Sequence, residues 1–190
     1  MKFLFTRHGQ TDWNLEGKLQ GNQDIELNQT GIKQAEMLAE KLSEGRIPIQ
    51  KIYTSTKLRA YQTGMVISEK VHCPCYRLEG IEEMNFGEWE GLTWEEIQKK
   101  FPDNYREWQI GRRYSKTKGG ESCQEVLERV LPVLQRLADT EEGTVLVVTH
   151  GAVLMILQCY LKNTAFENMW DYLLDNGTVL EIEDKEILNA

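Results

Sequence analysis

The chain has 190 residues, enough for one domain with a substantial core, and nothing in its length calls for a second. Its composition, 41% hydrophobic and 27% charged, is that of a globular protein, and no apolar run approaches the roughly 20 residues of a membrane helix. The net charge of -8 argues against nucleic acid or an anionic membrane as partner, because both reward an excess of Lys and Arg.

In chain order, strands and helices alternate, the pattern of a largely parallel sheet covered on both faces. Lys2 to Thr6 reads as a short buried strand that stops at Arg7-His8-Gly9-Gln10-Thr11, and its apolar part is too short for a secretory signal. Residues 9–29 read as a long polar loop, of the kind that often carries function. Thr30 to Leu42 places Ile32, Ala35, Leu38, Ala39 and Leu42 at helical spacing. Ile47 to Thr54 contains a second strand, Lys57 to Lys70 a helix, and Cys75 to Leu78 a third strand. The segment from Glu79 to Gly120 reads as irregular, except for a capping-box pattern at Thr93 that starts a short helix through Phe101. Ser122 to Leu137 is a long helix in which Pro132 is expected to cause a kink or an early break. Thr144 to Thr149 (TVLVVT), β-branched and apolar throughout, reads as a central strand buried on both faces. Ala152 to Leu161 follows as a helix, and Thr178 to Ile182 with Lys185 to Leu188 suggests a terminal edge hairpin. The four cysteines, including the Cys73-Pro74-Cys75 pair, match neither a zinc pattern nor C-x-x-C, and are expected as reduced thiols in a cytoplasmic protein.

Two of the three histidines, His8 and His150, stop predicted strands at one edge of the sheet, the edge where open α/β sheets keep their ligands. Arg7 precedes the first of them, and Arg59 falls in the first turn of the helix after the second strand. Two guanidinium groups and two imidazoles around one point suit a phosphoryl group, which arginine binds through paired, charge-assisted hydrogen bonds. One neutral histidine can act as nucleophile, and the leaving alcohol needs a carboxylic acid, for which Glu82 and Glu83 are the candidates. No Asp, Glu or Cys accompanies the histidines at a metal-ligand spacing.

These motifs resemble those of the histidine phosphatase superfamily, which includes cofactor-dependent phosphoglycerate mutases and many small-molecule phosphatases. RHGQT with Trp13-Asn14, GKLQGNQD, STKLRAYQT, EMNFGEWEG, GGES and VVTHG stand in the family's order over nearly the whole chain. The pattern is most similar to the small broad-specificity and alpha-ribazole phosphatases. The resemblance implies an α/β fold, a three-layer α/β/α sandwich with a mostly parallel central sheet, in a single domain spanning 1–190 with 79–120 as lid or insertion. It implies His8 as the phosphorylated nucleophile, Arg7, Arg59 and His150 as the phosphate pocket, and Glu83 as proton donor in preference to Glu82. Asn14, Gln20 and Gly151 are implied at the substrate, and no metal or cofactor is implied. Gln10, Glu26, Thr56 and Met155 depart from residues common in the family, and none of these changes removes an implied catalytic group.

The expected activity is hydrolysis of a small phosphomonoester, with no nucleic-acid or membrane partner. A mutase is the alternative, since Gly111-Arg112-Arg113-Tyr114 with Lys116 and Lys118 resembles the basic run of the mutases. Against it, the 79–120 segment is short, and Phe86, Trp89, Trp94, Tyr105 and Trp108 offer an apolar rim. Arg113 and Trp108 are accordingly candidate substrate contacts. A phosphoprotein-binding module is the third reading, disfavoured because His8, Glu83 and His150 are all present.

Overall fold

The computed structural model describes residues 1–45 and 47–189; Arg46 and Ala190 lie outside the described residues. Its strands are β1 (Lys2–Arg7), β2 (Ile49–Ser55), β3 (Cys75–Leu78), β4 (Thr144–Thr149) and β5 (Val179–Glu183). Its α-helices are α1 (Asp12–Leu15), α2 (Gln29–Glu44), α3 (Leu58–Val71), α4 (Trp94–Lys100), α5 (Pro102–Ile110), α6 (Cys123–Thr140), α7 (Gly151–Leu161) and α8 (Asp184–Leu188). The five strands form one sheet in the order β3-β2-β4-β1-β5, parallel except for β5, which runs antiparallel to β1.

Successive side chains on a strand point to opposite faces, and the two central strands bury both. Phe3, Phe5, Val145 and Val147 pack in one core with α6, α7 and α8. Leu4, Leu146 and Val148 pack in a second core with Ile52 and with Leu38, Leu42 and Ile67 of α2 and α3. The sheet is therefore the middle of three layers. Each fully buried Leu, Ile, Val or Phe stabilises the fold by about 1.5–3 kcal/mol, so β1 and β4 form its most firmly held part.

The connections from those two strands place the site. From β1 the chain runs to α2 on one face, and from β4 it runs to α7 on the other. Adjacent strands whose continuations diverge leave a crevice at their C-terminal ends, which is where such sheets bind ligands. His8 and His150 stand at that crevice.

Four expectations require correction. The stretch 9–29 contains the short helix α1, whose N-cap Thr11 forms a reciprocal capping box with Asn14. The irregular 79–120 segment contains α5, which Pro102 opens at the first helical position, where its missing N–H costs nothing. Helix α6 continues through Pro132 to Thr140. An interior proline costs about 3 kcal/mol, but the seven apolar side chains that α6 buries outweigh that loss. The terminal hairpin is instead strand β5 followed by helix α8. Glu183 caps that helix through a box with Glu186, and Ile187 is fully buried in the core.

Candidate active site

His8 follows β1 directly, and its backbone N–H donates to the Thr149 carbonyl of β4 at 3.0 Å, so the first histidine is tied to the strand that ends in the second. The two imidazoles lie with ring centroids 5.2 Å apart. The Nδ1 of His8 stands 2.7 Å from the Gly9 carbonyl oxygen, which can only accept a hydrogen bond. Nδ1 therefore carries the proton, and Nε2 keeps its lone pair. Burial first, and then the charges of Arg59 and Arg7, hold the His8 pKa well below its ordinary 6.5, so this ring stays neutral. Asn176 donates from its side chain to the His8 carbonyl, and Thr63 accepts the Gly9 N–H at 3.0 Å. Gly9 packs so tightly against α2 that a Cβ there would stand 2.4 Å from the Gly31 carbonyl oxygen. The backbone at His8 and Gly9 is thus gripped from β4, α2, α3 and the segment before β5.

His150 caps α7 without a side-chain cap bond, is fully buried, and has neither ring nitrogen paired within the protein. Its pKa is likewise pushed well below 6.5, by burial and then by Arg59. Arg7 has its Nε buried without a partner and lies against Gly151, where a Cβ would stand 3.5 Å from the guanidinium carbon. The N-terminus of α7 adds backbone N–H groups to the same point, a preformed environment for an anion.

Arg59 departs from its expected role in part. Its Nη1 donates to the Gln23 carbonyl at 2.7 Å and its Nη2 to the Gly21 carbonyl at 2.9 Å, while Nε is buried and unpaired. It reaches the histidines through its charge and holds the 20–24 loop with its fork.

Glu83 and Glu82 separate clearly. Glu83 lines the His8 cleft, its Oε1 accepting from Met84 N at 2.9 Å and its Oε2 from Ala152 N, in the first turn of α7, at 3.4 Å. Glu82 turns away to Thr56 (2.7 Å) and the Gly80 N–H (2.8 Å).

The cleft encloses about 230 Å³, below the roughly 300–1,000 Å³ of sites for drug-sized ligands, which suits a small metabolite. Arg7, His8, Asn14, Gln20, Glu83 and Gly151 line it. Asn14 Oδ1 is taken by the Thr11 N–H and hydroxyl, both at 3.1 Å, which leaves its NH2 for a ligand. Gln20 Oε1 is buried without a partner. Arg59 and His150 are fully buried and do not line the opening.

Two other expected contacts lie elsewhere. Trp108 is 1% exposed and stacks on Trp94 at 5.4 Å, edge-on to Trp89 at 5.5 Å, so it is packed inside the aromatic cluster. Arg113 borders a separate surface cavity beside Tyr114 and Phe166 and donates to Gln124 at 3.0 Å. Of the expected rim, Phe86 and Trp94 face the cleft, and Lys18, Met155, Trp170 and Leu173 complete it. Trp170 and Leu173 come from the 3-10 turn Phe166–Tyr172 and the residue after it, a stretch in which the sequence offers no motif beyond a lone tryptophan, and the fold leaves that ring 42% exposed. Among the described residues, no group of three or more His, Cys, Asp or Glu stands together as a metal site.

Comparison with known proteins shows the family and the fold. A family model described as the histidine phosphatase superfamily (branch 1) matches residues 3–186. Phosphoserine phosphatase 1 of Hydrogenobacter thermophilus is 30% identical over 191 residues, covering 100% of this chain and 90% of the relative. Among solved structures, Bacillus stearothermophilus YhfR superposes with a TM-score of 0.87 at 34% identity, covering 96% of this chain and 90% of that one. A phosphoserine phosphatase from Entamoeba histolytica, solved with 3-phosphoglyceric acid, gives a TM-score of 0.78 at 30% identity, over 95% and 89% of the two chains.

Proposed function

Because the chain belongs to the histidine phosphatase superfamily and is a phosphatase of small phosphorylated metabolites, we propose that it works by two-step transfer through a phosphohistidine on His8. Nε2 of His8 attacks phosphorus in line, and the ester P–O bond breaks as the P–N bond forms. Glu83, protonated at this stage, gives its proton to the departing alcohol. Its carboxylate then takes a proton from water as that water attacks phosphorus and the P–N bond breaks, releasing inorganic phosphate and restoring both groups. Arg7, the N-terminus of α7, Asn14 and Gln20 hold the phosphoryl oxygens, and the buried Arg59 and His150 support them.

The observation that carries this reading is the hydrogen bond from His8 Nδ1 to the Gly9 carbonyl, which leaves Nε2 as a lone pair in a cleft shared with Arg7 and Glu83. The rim supports hydrolysis over mutase chemistry. Phe86, Trp94, Met155, Trp170 and Leu173 are apolar, and Lys18 with Arg7 are the cations lining the cleft, few for holding a second phosphate. Substrates are read as phosphomonoesters of small hydroxy or amino acids, the kind that the relatives' names describe. In the same reading, residues 79–120 are the substrate-facing insertion of a single domain. No helix among the described residues is long and apolar enough to cross a membrane, and the four cysteines are free, which supports a reducing, cytoplasmic setting.

A panel of phosphomonoesters including phosphoserine, 3-phosphoglycerate, sugar phosphates and a mutase assay with 2,3-bisphosphoglycerate tests it. Release of phosphate is expected, with a preference for small acids, and His8→Ala is expected to abolish turnover. Phosphoryl transfer between hydroxyls outpacing phosphate release would overturn it.

A further inference from the structure

Arg129, on the second turn of α6, makes no contact with the cleft, yet its guanidinium donates to the two backbone carbonyls that bracket the acid segment. Nη1 reaches the Gly80 carbonyl at 3.0 Å and Nη2 the Glu83 carbonyl at 3.1 Å. The same guanidinium meets Glu121 through a paired contact, Nε to Oε1 at 2.8 Å and Nη2 to Oε2 at 3.1 Å. Glu121 in turn accepts the Asn85 N–H on Oε2 at 2.8 Å and donates its own N–H to the Asn85 carbonyl at 2.8 Å. Residues 80–85 are therefore gripped at Gly80, Glu83 and Asn85 by the Arg129–Glu121 pair at the start of α6, and Arg129 Nη1 also stands 4.0 Å from Glu82 Oε2. The pair is partly buried, with side-chain exposures of 23% and 24%. Gly80 takes φ of +93° and packs so close to α6 that a Cβ would stand 2.7 Å from a Val133 methyl. From the other side, the Thr149 hydroxyl donates to the Ile81 carbonyl at 2.7 Å.

Resting on the reading of Glu83 as proton donor, we propose that the Arg129–Glu121 pair is a positioning unit that sets Glu83 against the oxygen leaving from His8-bound phosphorus. Three features separate this from a surface ion pair. Its hydrogen bonds run to the backbone of the acid segment, the fork is bidentate, and the segment it holds otherwise lacks regular structure between β3 and the turn at Gly87–Trp89. A small misplacement of a catalytic group, on the order of 1 Å, costs about 100-fold in rate, so loosening this grip should be read in the chemistry.

Proton donation matters in proportion to the basicity of the leaving oxygen, and kcat/KM reports the step in which that oxygen leaves. The test compares kcat/KM for an alkyl phosphate and for 2,4-dinitrophenyl phosphate in the wild type, Arg129→Gln, Arg129→Lys, Glu83→Gln and the double variant Arg129→Gln/Glu83→Gln. Arg129→Gln is expected to lose about 10- to 100-fold on the alkyl ester and less than about 3-fold on the dinitrophenyl ester, a fraction of the 100- to 10,000-fold a general acid supplies. Arg129→Lys keeps the charge without the fork and is expected to fall in between. In the Glu83→Gln background, Arg129→Gln is expected to add no further leaving-group discrimination. The dinitrophenyl ester doubles as the check that each variant is folded. Equal losses on both esters in Arg129→Gln, beside a discriminating Glu83→Gln, would overturn the positioning role alone. A Glu83→Gln variant without discrimination would overturn the acid assignment itself.

Discussion

At the scale of single residues, the proposed mechanism depends on His8 being neutral with its lone pair on Nε2, and two features of its surroundings favour this state. The Gly9 carbonyl holds the proton on Nδ1, and burial with Arg59 and Arg7 disfavours the imidazolium. Nucleophilic attack should therefore persist as pH falls through 6.5, with the acid limb of kcat/KM well below that value. Stability should run the other way. Below 6.5 the unfolded chain takes up protons on His8 and His150 that the folded chain, with both pKa values depressed, does not, so folding weakens as pH falls from about 6.5 toward the folded-state values. Melting temperatures of the phosphate-free enzyme between about pH 5 and 8 should decline on the acid side, and His150→Asn should flatten that decline. Much of this was legible in the sequence, because two histidines directly after buried β-branched or aromatic runs are placed by the strands themselves. The fork of Arg59 was not, since its choice of the Gly21 and Gln23 carbonyls depends on how the 20–24 loop closes.

At the scale of elements, the 79–120 segment divides into a core half and a cleft half that composition does not distinguish. Trp94 belongs to both, stacking on Trp108 on one side and meeting Trp170 edge-on at 5.5 Å on the other. Trp108→Ala should cost about 3–5 kcal/mol of stability, seen in denaturant unfolding, with kcat/KM of the folded fraction little changed. Trp170→Ala, whose side chain is 42% exposed at the cleft, should cost about 1 kcal/mol and instead alter KM according to the size of the substrate's alcohol. The aromatic spacing showed that a cluster would form but not which rings turn inward, since that is decided by α5 and by the distant 3-10 turn that brings Trp170. Helix α8 stands where the sequence pattern suggests a hairpin strand, for a similar reason. Lys185 to Leu188 is too short for its period to separate strand from helix, and the capping pair Glu183 and Glu186 decides it.

At the scale of the whole molecule, six sequence segments are brought to one crevice: the end of β1, the loop at Asn14 to Gln20, the acid segment after β3, the start of α4 at Trp94, the start of α7 and the turn holding Trp170. The alternation of strands and helices sufficed to read the sheet and its ligand edge, because β1 and β4 are buried on both faces and admit few other arrangements. What it could not supply was the loops between those elements, whose course is set by ion pairs such as Arg129 with Glu121 across the fold. The claim on which the rest depends is that phosphorus passes through His8. Rapid quenching of the enzyme during turnover of a ³²P-labelled phosphomonoester, followed by acid and alkaline treatment and peptide mapping, measures this directly. The label should appear on the peptide containing His8, survive alkali, be lost in acid as a phosphoramidate is, and be absent in His8→Ala. An acid-stable adduct, label on another residue, or undiminished turnover by His8→Ala would contradict it.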